Sequence, residues 1–367
     1  MSESDARAPK PRPWRYRVSL RALMTLILVV AAALGWRVNR AHTQARAVAR
    51  VKQAGGLVVY DYQFDGTYLY KNNPSPRVPA WLRRMVGNEH FQEVTKVSFY
   101  DKTATDAALA AVGDFDHLIA IIINDASEVT DTGLAHLAGL PRLQEMEIWG
   151  LSGITDTGLS HLAELRNLQK LELNGLAFLQ RRERWKPPAI TDAGLSHLAG
   201  VRCLQEVELR NLPLITDAGL AHLAGMPGLR RMSLSLDGIT DAGLLTHLSR
   251  LTELRELEVW GERLTGAGLA CLDRLKSLRT LRLRWYGGLK SGITNEDLAH
   301  LEGLVELREL DLSMNKGITA AGLRHMAGLR QLRKLSLDET WVSDQAIADI
   351  QATIPGLAVS RIGRPLW

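Results

Sequence analysis

Hydrophobic and polar residues follow two alternating periods along most of the chain. Residues 215–236 show both of them. Leu220 and Leu223 lie three apart, which puts them on one face of a helix that Thr216 can cap, and Asp217 suits the positive end of that helix. The second half of the segment alternates Met-Ser-Leu, as a half-buried strand does. The pattern therefore predicts a short helix followed by a strand.

This helix–strand unit recurs along the chain. Copies begin at Val129, Ile154, Ile190, Ile215, Ile239, Leu264, Ile293 and Ile318, and degenerate copies begin at Ala104 and Val342. Successive copies start 24 to 36 residues apart. A period in this range indicates a repeat array, in which each unit buries its apolar face against its neighbours.

The repeated frame resembles the leucine-rich repeat. It reads Leu-x-x-Leu-x-Leu, as in residues 307–312, followed by Ile-Thr-Asp-x-Gly-Leu, and the resemblance covers residues 94–367. The second motif is similar to the cysteine-containing subtype of F-box substrate receptors and many bacterial proteins. The resemblance implies an α/β solenoid, a right-handed horseshoe with parallel strands on the concave side and helices on the convex side. The family's Asn or Cys after the strand is mostly replaced, for example by Leu151 and Leu212, so we expect a weaker internal hydrogen-bond ladder.

The charge of the chain is unevenly distributed. Residues 1–52 hold eleven Lys or Arg against two acidic residues, which gives +9, whereas the whole chain carries +5. The remaining residues therefore carry −4. This distribution argues against a repeat body that binds nucleic acid.

An uncharged apolar run at residues 22–36 predicts a membrane helix. Fifteen helical residues span about 22 Å, short of a ~30 Å hydrocarbon core. However, Arg21 and Arg37 can snorkel, and the distance from Trp14 to Trp36 reaches roughly 33 Å as a helix. We therefore predict a single-pass signal anchor at residues 19–38, after a disordered basic segment at 1–18.

Two other interpretations of the apolar run remain open. It could be a signal peptide cleaved after the small residues 31–33, which would give a mature N-terminus near Leu34, or it could be a buried or surface helix. Lys and Arg are almost equally frequent before and after the run, so orientation is weakly determined. We expect the repeats outside the cytoplasm.

The rest of the chain divides into three regions. Residues 39–93 form a linker and N-terminal cap, with a basic helix up to Gly55, a strand at 57–62 and a short helix at 81–86. Residues 94–341 form the repeats, and residues 342–367 form the C-terminal cap. This layout resembles membrane-tethered bacterial leucine-rich repeat proteins.

The cysteines and histidines do not predict a metal site. Cys203 and Cys271 lie three repeats apart, which places them ~14 Å or more from each other, too far for a disulfide, so both are expected as free thiols. A histidine recurs at one helix position; the copies are His136, His161, His197, His222, His300 and His325, with His247 shifted by one residue. Packed helices lie ~8–10 Å apart, so these histidines are expected to be structural.

The exposed strand positions are candidates for binding. The middle row is predicted to be Glu147, Glu172, Glu208, Ser233, Glu258, Arg282, Asp311 and Ser336. The next row is Trp149, Asn174, Arg210, Ser235, Trp260, Arg284, Ser313 and Asp338. The acidic row could attract a basic partner or Ca²⁺, or it could simply keep an open sheet soluble. Trp149 and Trp260 could anchor a partner, because interface hot spots are rich in Trp, Tyr and Arg, or could pack on neighbouring side chains.

Two insertions follow strands on one edge of the array. Residues 176–189 contain Arg184 and Trp185, and residues 285–292 contain Trp285 and Tyr286. Such loops often carry recognition, although tolerated insertion is the alternative. The predicted partner-binding set is Trp149, Arg184, Trp185, Arg210, Trp260, Arg284, Trp285 and Tyr286.

The sequence contains no recognised catalytic or phosphate-binding motif. We therefore predict a non-catalytic, membrane-tethered protein with a protein or peptide partner and a monomeric repeat body. No cofactor, metal or nucleic acid is expected. The alternatives are an adaptor resembling F-box leucine-rich repeat proteins of ubiquitin ligases, and an enzyme.

Overall fold

The computed structural model describes residues 19–63, 78–87, 91–100, 102–176, 187–261, 264–285 and 292–361. Its strands are β1 (Leu57–Tyr60), β2 (Val94–Phe99), β3 (Ala120–Ile123), β4 (Glu145–Trp149), β5 (Lys170–Asn174), β6 (Glu206–Arg210), β7 (Arg231–Ser235), β8 (Glu256–Gly261), β9 (Thr280–Trp285), β10 (Glu309–Asp311), β11 (Lys334–Ser336) and β12 (Ala358–Ser360).

The helices alternate with the strands. The α-helices are α1 (Leu20–Gln53), α2 (Ala80–Val86), α3 (Asp106–Val112), α4 (Asp131–Ala135), α5 (Asp156–Leu162), α6 (Asp192–Leu198), α7 (Asp217–Leu223), α8 (Asp241–His247), α9 (Ala320–Leu323) and α10 (Asp344–Thr353). Segments in 3-10 conformation are Leu248–Arg250, Gly266–Arg274, Asp297–Leu301 and Arg324–Met326.

All twelve strands belong to one sheet, in chain order. Strands β2 to β12 pair in parallel, so the predicted α/β solenoid is confirmed. The pairing of β1 with β2 is antiparallel, which the sequence did not predict. A short antiparallel strand thus covers the edge that the first parallel strand would otherwise expose.

A single apolar core runs along the whole array. The two leucines that predicted the helix, Leu220 and Leu223, are 1% and 0% exposed. The buried cluster extends without interruption from Ala47 to Leu357. Each repeat therefore completes its core only with side chains from its neighbours.

The recurring spacing of Thr and Asp within the motif has a structural reason, which is a pair of hydrogen bonds between consecutive repeats. Thr155 caps α5, because its hydroxyl accepts a hydrogen bond from the backbone N–H of Thr157 at 3.2 Å. The same threonine donates its hydroxyl to Asp131 Oδ2 at 2.6 Å and its backbone N–H to Asp131 Oδ1 at 2.8 Å. One aspartate thus holds the start of the next helix through two hydrogen bonds.

This Thr–Asp contact recurs through most of the array. The pairs are Asp106–Thr130, Asp131–Thr155, Asp156–Thr191, Asp192–Thr216, Asp217–Thr240 and Asp241–Thr265. The sequence predicted for Asp217 only an interaction with its own helix end, but both of its oxygens accept from Thr240 in the next repeat.

The glycine of the motif makes room for the aspartate of the preceding repeat. A Cβ atom on Gly158 would lie 2.4 Å from Asp131 Oδ1. The same clash, at 2.4 Å, would occur between Gly219 and Asp192. Thr-Asp-x-Gly is therefore a stacking motif, in which three of the four positions serve the contact between repeats.

The series of contacts is interrupted at one repeat. Gly266 occupies the aspartate position, and Thr294 binds Asp297 of its own repeat instead, at 2.8 and 2.7 Å. The series resumes where Asn295 Oδ1 accepts from the Thr319 N–H at 2.9 Å. In the interrupted region the segments Gly266–Arg274 and Asp297–Leu301 are 3-10 helices rather than the expected α-helices.

The side chain at the position after the strand donates hydrogen bonds where it is Asn and packs in the core where it is Leu. Asn315 is 1% exposed, and its Nδ2 donates to the carbonyl oxygens of Leu283 and Leu312 at 2.8 and 2.9 Å. The equivalent Leu151 and Leu212 are fully buried apolar side chains. Apolar packing replaces a polar ladder at those two repeats.

Helix α1 is one uninterrupted helix of 34 residues that joins two environments. Its first half is apolar and exposed, with Met24 at 58% and Trp36 at 62%, whereas Ala47 and Val51 in its second half are buried at 0%. The second half packs against α3. The apolar run and the basic helix predicted after it form a single helix.

The Thr–Asp contact predicts a measurable coupling. Replacing Asp131 with Ala should lower the free energy of unfolding by roughly 1–3 kcal/mol, because two hydrogen bonds to a carboxylate are lost. Gly158→Ala should destabilise the wild-type protein but cost less in the Asp131→Ala background, where the oxygen at 2.4 Å is gone.

Thermal and urea unfolding of the detergent-solubilised chain measures this double-mutant cycle. Gly139→Ala is the matched control, because a Cβ atom there would meet nothing within 4 Å. Additive effects of the two substitutions would contradict the stacking role of this glycine.

Candidate functional site

The sheet has one face in the core and one that points away from the helices. In β5, Leu171 and Leu173 are fully buried in the core. Side chains alternate along a strand, so Lys170, Glu172 and Asn174 lie on the opposite face. We call this surface, with the residues in register with these three, the open face.

The strand pairing confirms the middle row of the open face and six of the eight positions of the next row. Glu147, Glu172, Glu208, Ser233, Glu258, Arg282, Asp311 and Ser336 are directly opposite one another on successive strands. Trp149, Asn174, Arg210, Ser235, Trp260 and Arg284 form the next row in the same way. Ser313 and Asp338 lie beyond the ends of their strands.

Trp260 lies between two arginines of the second row. The guanidinium carbon of Arg210 is 5.2 Å from the centre of the indole, and that of Arg284 is 5.0 Å from it. Arg210 is on β6, two strands before Trp260, and it reaches the indole because the intervening position on β7 is the small Ser235. We call Arg210, Trp260 and Arg284 the Trp260 cluster.

Acidic side chains of the middle row hold the Trp260 cluster in place. The indole N–H donates to Glu258 Oε1 at 2.7 Å. Arg210 Nε lies 2.5 Å from Glu208 Oε1, and Arg284 Nε donates to Asp311 Oδ2 at 2.9 Å. Trp260 therefore packs on neighbouring strand side chains, and its role as an anchor for a partner stays a prediction. Trp260 is still half-buried, so part of the ring faces solvent.

Of the remaining predicted site residues, only Trp149 and Trp285 lie within the described part of the chain. Trp149 is on β4, four strands from Trp260, or about 19 Å at the usual strand spacing. Trp285 ends β9, where its backbone pairs with Gly261. Arg184, Trp185 and Tyr286 lie outside the described residues. The predicted role of the two insertions in recognition therefore stays a prediction.

The sequence did not indicate how much the acidic residues of the middle row differ in ion pairing and burial. Glu147 is paired with Lys170, and Glu208 is paired with Arg210. Glu172, between them, is only 8% exposed. Burial, reinforced by the negative charges of Glu208 and Glu147, raises the pKa of Glu172 to about 7. A row of like charges on adjacent strands indicates that the pKa of one of them could be raised, but the burial of Glu172 is visible only in the structure.

Two of the recurring histidines contact an acidic residue of the preceding repeat. His300 Nδ1 lies 3.3 Å from Asp273, and His325 Nδ1 lies 2.6 Å from Glu302, each in the preceding repeat. Cys203 and Cys271 are free thiols, as predicted, and burial raises the pKa of Cys271 to about 12. Within the described residues, no group of three or more His, Cys, Asp or Glu could hold a metal ion.

The raised pKa of Glu172 predicts a pH-dependent stability. The pKa of Glu172 is about 7 in the folded protein and 4.5 in the unfolded chain. Below pH 4.5 the carboxyl group is protonated in both states, so it does not lower the free energy of unfolding. Between pH 4.5 and about 7 only the unfolded chain ionises, and stability falls. Above pH 7 the loss is constant, at up to about 3 kcal/mol.

The variant Glu172→Gln should therefore match the wild type at pH 4.5 and be more stable than it at pH 7.5. Chemical denaturation at both pH values measures the difference, and the exposed Glu253→Gln is the control that should show none. Equal destabilisation by Glu172→Gln at both pH values would contradict the raised pKa.

Comparison with known proteins gives structural matches only. No protein-family model matches the chain, and no characterised protein matches its sequence. The chain is similar to internalin C2 of Listeria monocytogenes, with 18% identity and a TM-score of 0.36, over 75% of this chain and 87% of that one. It is also similar to a second internalin of that species, with 18% identity and a TM-score of 0.45, over 77% of this chain and 94% of that one.

A leucine-rich repeat protein of Leptospira interrogans matches with 15% identity and a TM-score of 0.38, over 68% of this chain and 74% of that one. The fold follows from the chain itself. Its strands form one sheet in sequence order, its repeats share the Leu-x-x-Leu-x-Leu frame, and the leucines of that frame fill the core between strands and helices. The chain has a leucine-rich repeat fold.

Proposed function

We propose that this chain is a non-catalytic, membrane-tethered module whose open face binds a protein partner. The observation that carries this proposal is the Trp260 cluster, in which a half-buried indole lies between two arginines. Tryptophan and arginine are the residue types that most often dominate binding energy. The surface around them offers complementary acidic groups for hydrogen bonds and ion pairs.

The cluster is organised before any partner binds. Glu258, Glu208 and Asp311 fix the indole and both guanidinium groups through direct contacts. Long side chains that are already ordered lose less conformational freedom on association. A partner therefore meets a rigid aromatic surface rather than one that must be assembled.

The tether is α1. Among the described residues it is the one helix that is long and apolar enough, by length and composition, to cross a membrane. Its exposed first half contrasts with a second half that is anchored to the array, where Arg40 lies 3.2 Å from Asp116 and 3.5 Å from Glu93. The proposal places the repeat body, as a monomer, outside the cytoplasm at the membrane surface. The adaptor hypothesis gains no support, because an apolar helix occupies the region where an F-box would precede the repeats.

Crosslinking tests the binding surface. A photoreactive amino acid at Arg282, diagonal to Trp260 on the next strand, should form an adduct with a partner in intact cells. Trp260→Ala in the same chain should reduce that adduct at least about tenfold, the effect of losing a hot spot. The matched control is the probe at Trp341, which is 48% exposed in the loop between β11 and α10. An adduct that Trp260→Ala leaves unchanged, in a protein with unaltered thermal unfolding, would refute the role of the cluster.

Carbonate extraction tests the tether. Full-length protein should stay with the membrane fraction at alkaline pH, because the apolar half of α1 is held by the hydrocarbon core. Replacing Ile27 and Val30, which are 57% and 47% exposed, with Asp should release the chain. Release of the unmodified full-length chain would contradict the anchor, and a mature N-terminus near Leu34 would show a cleaved signal peptide instead.

A further inference from the structure

Three glutamates stand side by side on the open face. Glu147, Glu172 and Glu208 are directly opposite one another on β4, β5 and β6. Like charges in this arrangement repel each other and destabilise a sheet. The free protein therefore retains an unfavourable group of carboxylates at one place on its surface.

The two outer glutamates already have cationic partners. Glu147 is paired with Lys170, and Glu208 is paired with Arg210. The central Glu172 is 8% exposed, and in the described part of the chain no donor lies within hydrogen-bond or ion-pair distance of its carboxylate. Ionisation of Glu172 in the free protein is therefore costly, because burial penalises the charged form of the carboxyl group.

Counted over the described residues alone, the charge at this place is short by one cation. The charged groups that act on Glu172 from β4, β5 and β6 are Glu147, Glu208, Lys170 and Arg210. With Glu172 itself, three carboxylates face two cationic side chains. A single additional positive charge would balance the group.

The geometry favours an organic cation over a metal ion. Calcium requires six to eight oxygen ligands, and Mg²⁺ requires near-octahedral coordination. Here the carboxylates beside Glu172 are committed to Lys170 and Arg210, and within the described residues no metal-binding group of acidic side chains exists. An ammonium or guanidinium group needs only one free carboxylate acceptor and brings its own hydrogen-bond donors.

An aromatic side chain borders the same place. Trp149 lies in the next row of β4 and is therefore diagonal to Glu172 on β5. Diagonal positions on adjacent strands are about 7–8 Å apart, within reach of a long side chain. The aliphatic stem of a lysine or arginine that reaches Glu172 can pack along this indole.

From this arrangement we infer that Glu172, bordered by Trp149, is a subsite of the open face that receives one lysine or arginine side chain of the protein partner. The inference rests on the proposed function, since it assigns the subsite to the partner that binds the open face. It names a second contact point about three strands from Trp260, so the partner segment crosses the strands.

The stability of the free protein fits a binding role better than a structural one. Glutamine has the same shape as Glu172 and carries no charge, so it would remove the repulsion without a cavity. The ionised Glu172 lowers the stability of the free protein, and a bound cation would offset this cost by neutralising its charge. Binding should also release part of a proton near pH 6.5, because the bound cation lowers the pKa of a group that burial had raised to about 7.

Selection of displayed peptides on the immobilised full-length protein tests the subsite. Random nine-residue peptides are selected on the wild type, on Glu172→Gln, on Trp260→Ala and on the exposed control Glu253→Gln. Lysine or arginine at one position should be enriched at least tenfold on the wild type and on Glu253→Gln, and this preference should disappear on Glu172→Gln. Acetylation of that lysine in a synthetic peptide should weaken binding at least tenfold.

Two further readouts separate binding from folding. Thermal unfolding at pH 7.5 should show Glu172→Gln at least as stable as the wild type. Calorimetric titration of the selected peptide at pH 6.5, in buffers of different ionisation enthalpy, should show proton release for the wild type and none for Glu172→Gln.

The possible failures are distinguishable. Peptide binding that depends on Trp260 but shows no Glu172-dependent preference for lysine or arginine would overturn the subsite and leave the proposed function intact. Enrichment that neither Trp260→Ala nor Glu172→Gln changes would overturn both.

Discussion

The structure depends on one constraint: no repeat can bury its own apolar face, so every repeat must be held against the next. Leucines supply the nondirectional part of this contact, in a core that is continuous along the array. The direction comes from the Thr–Asp pair, in which Asp131 accepts two hydrogen bonds from Thr155 of the following repeat. Because Gly158 leaves room for that carboxylate, the motif specifies how repeats stack as well as how each helix begins.

Stacking in constant register determines the chemistry of the open face. Equivalent positions of successive repeats become direct neighbours, so a charge repeated in sequence becomes a row of charges in space. The array compensates for most of this repulsion with ion pairs, such as Lys170 with Glu147 and Arg284 with Asp311. Within the described residues it leaves Glu172 without an ion-pair partner, and it assembles Trp260 between two arginines. Both sites of the proposed interaction surface thus arise from register.

The repeats, the strand order and the rows of the open face could be predicted because a period of two in each strand and a period near 25 residues along the chain are visible in the sequence. The contact between Arg210 and Trp260 could not, because it spans an intervening strand and depends on the small size of Ser235. The burial of Glu172 depends in the same way on its neighbours.

Other differences come from local exceptions to the repeat. Gly266 replaces an aspartate, and the helices near this interruption tighten into 3-10 turns that a periodic pattern does not predict. The two halves of α1 differ in their surroundings: the first exposes apolar side chains, and the second packs on α3. The residues predicted for the inserted loops remain predictions, since Arg184, Trp185 and Tyr286 lie outside the described residues.

Hydroxyl-radical footprinting of the full-length protein, with and without its partner, tests the central claim that the open face is the binding surface. The account predicts that oxidation of Trp149 and Trp260 falls when the partner binds, while Trp341 keeps its reactivity. Protection of Trp341 with no change at Trp149 and Trp260 would contradict it.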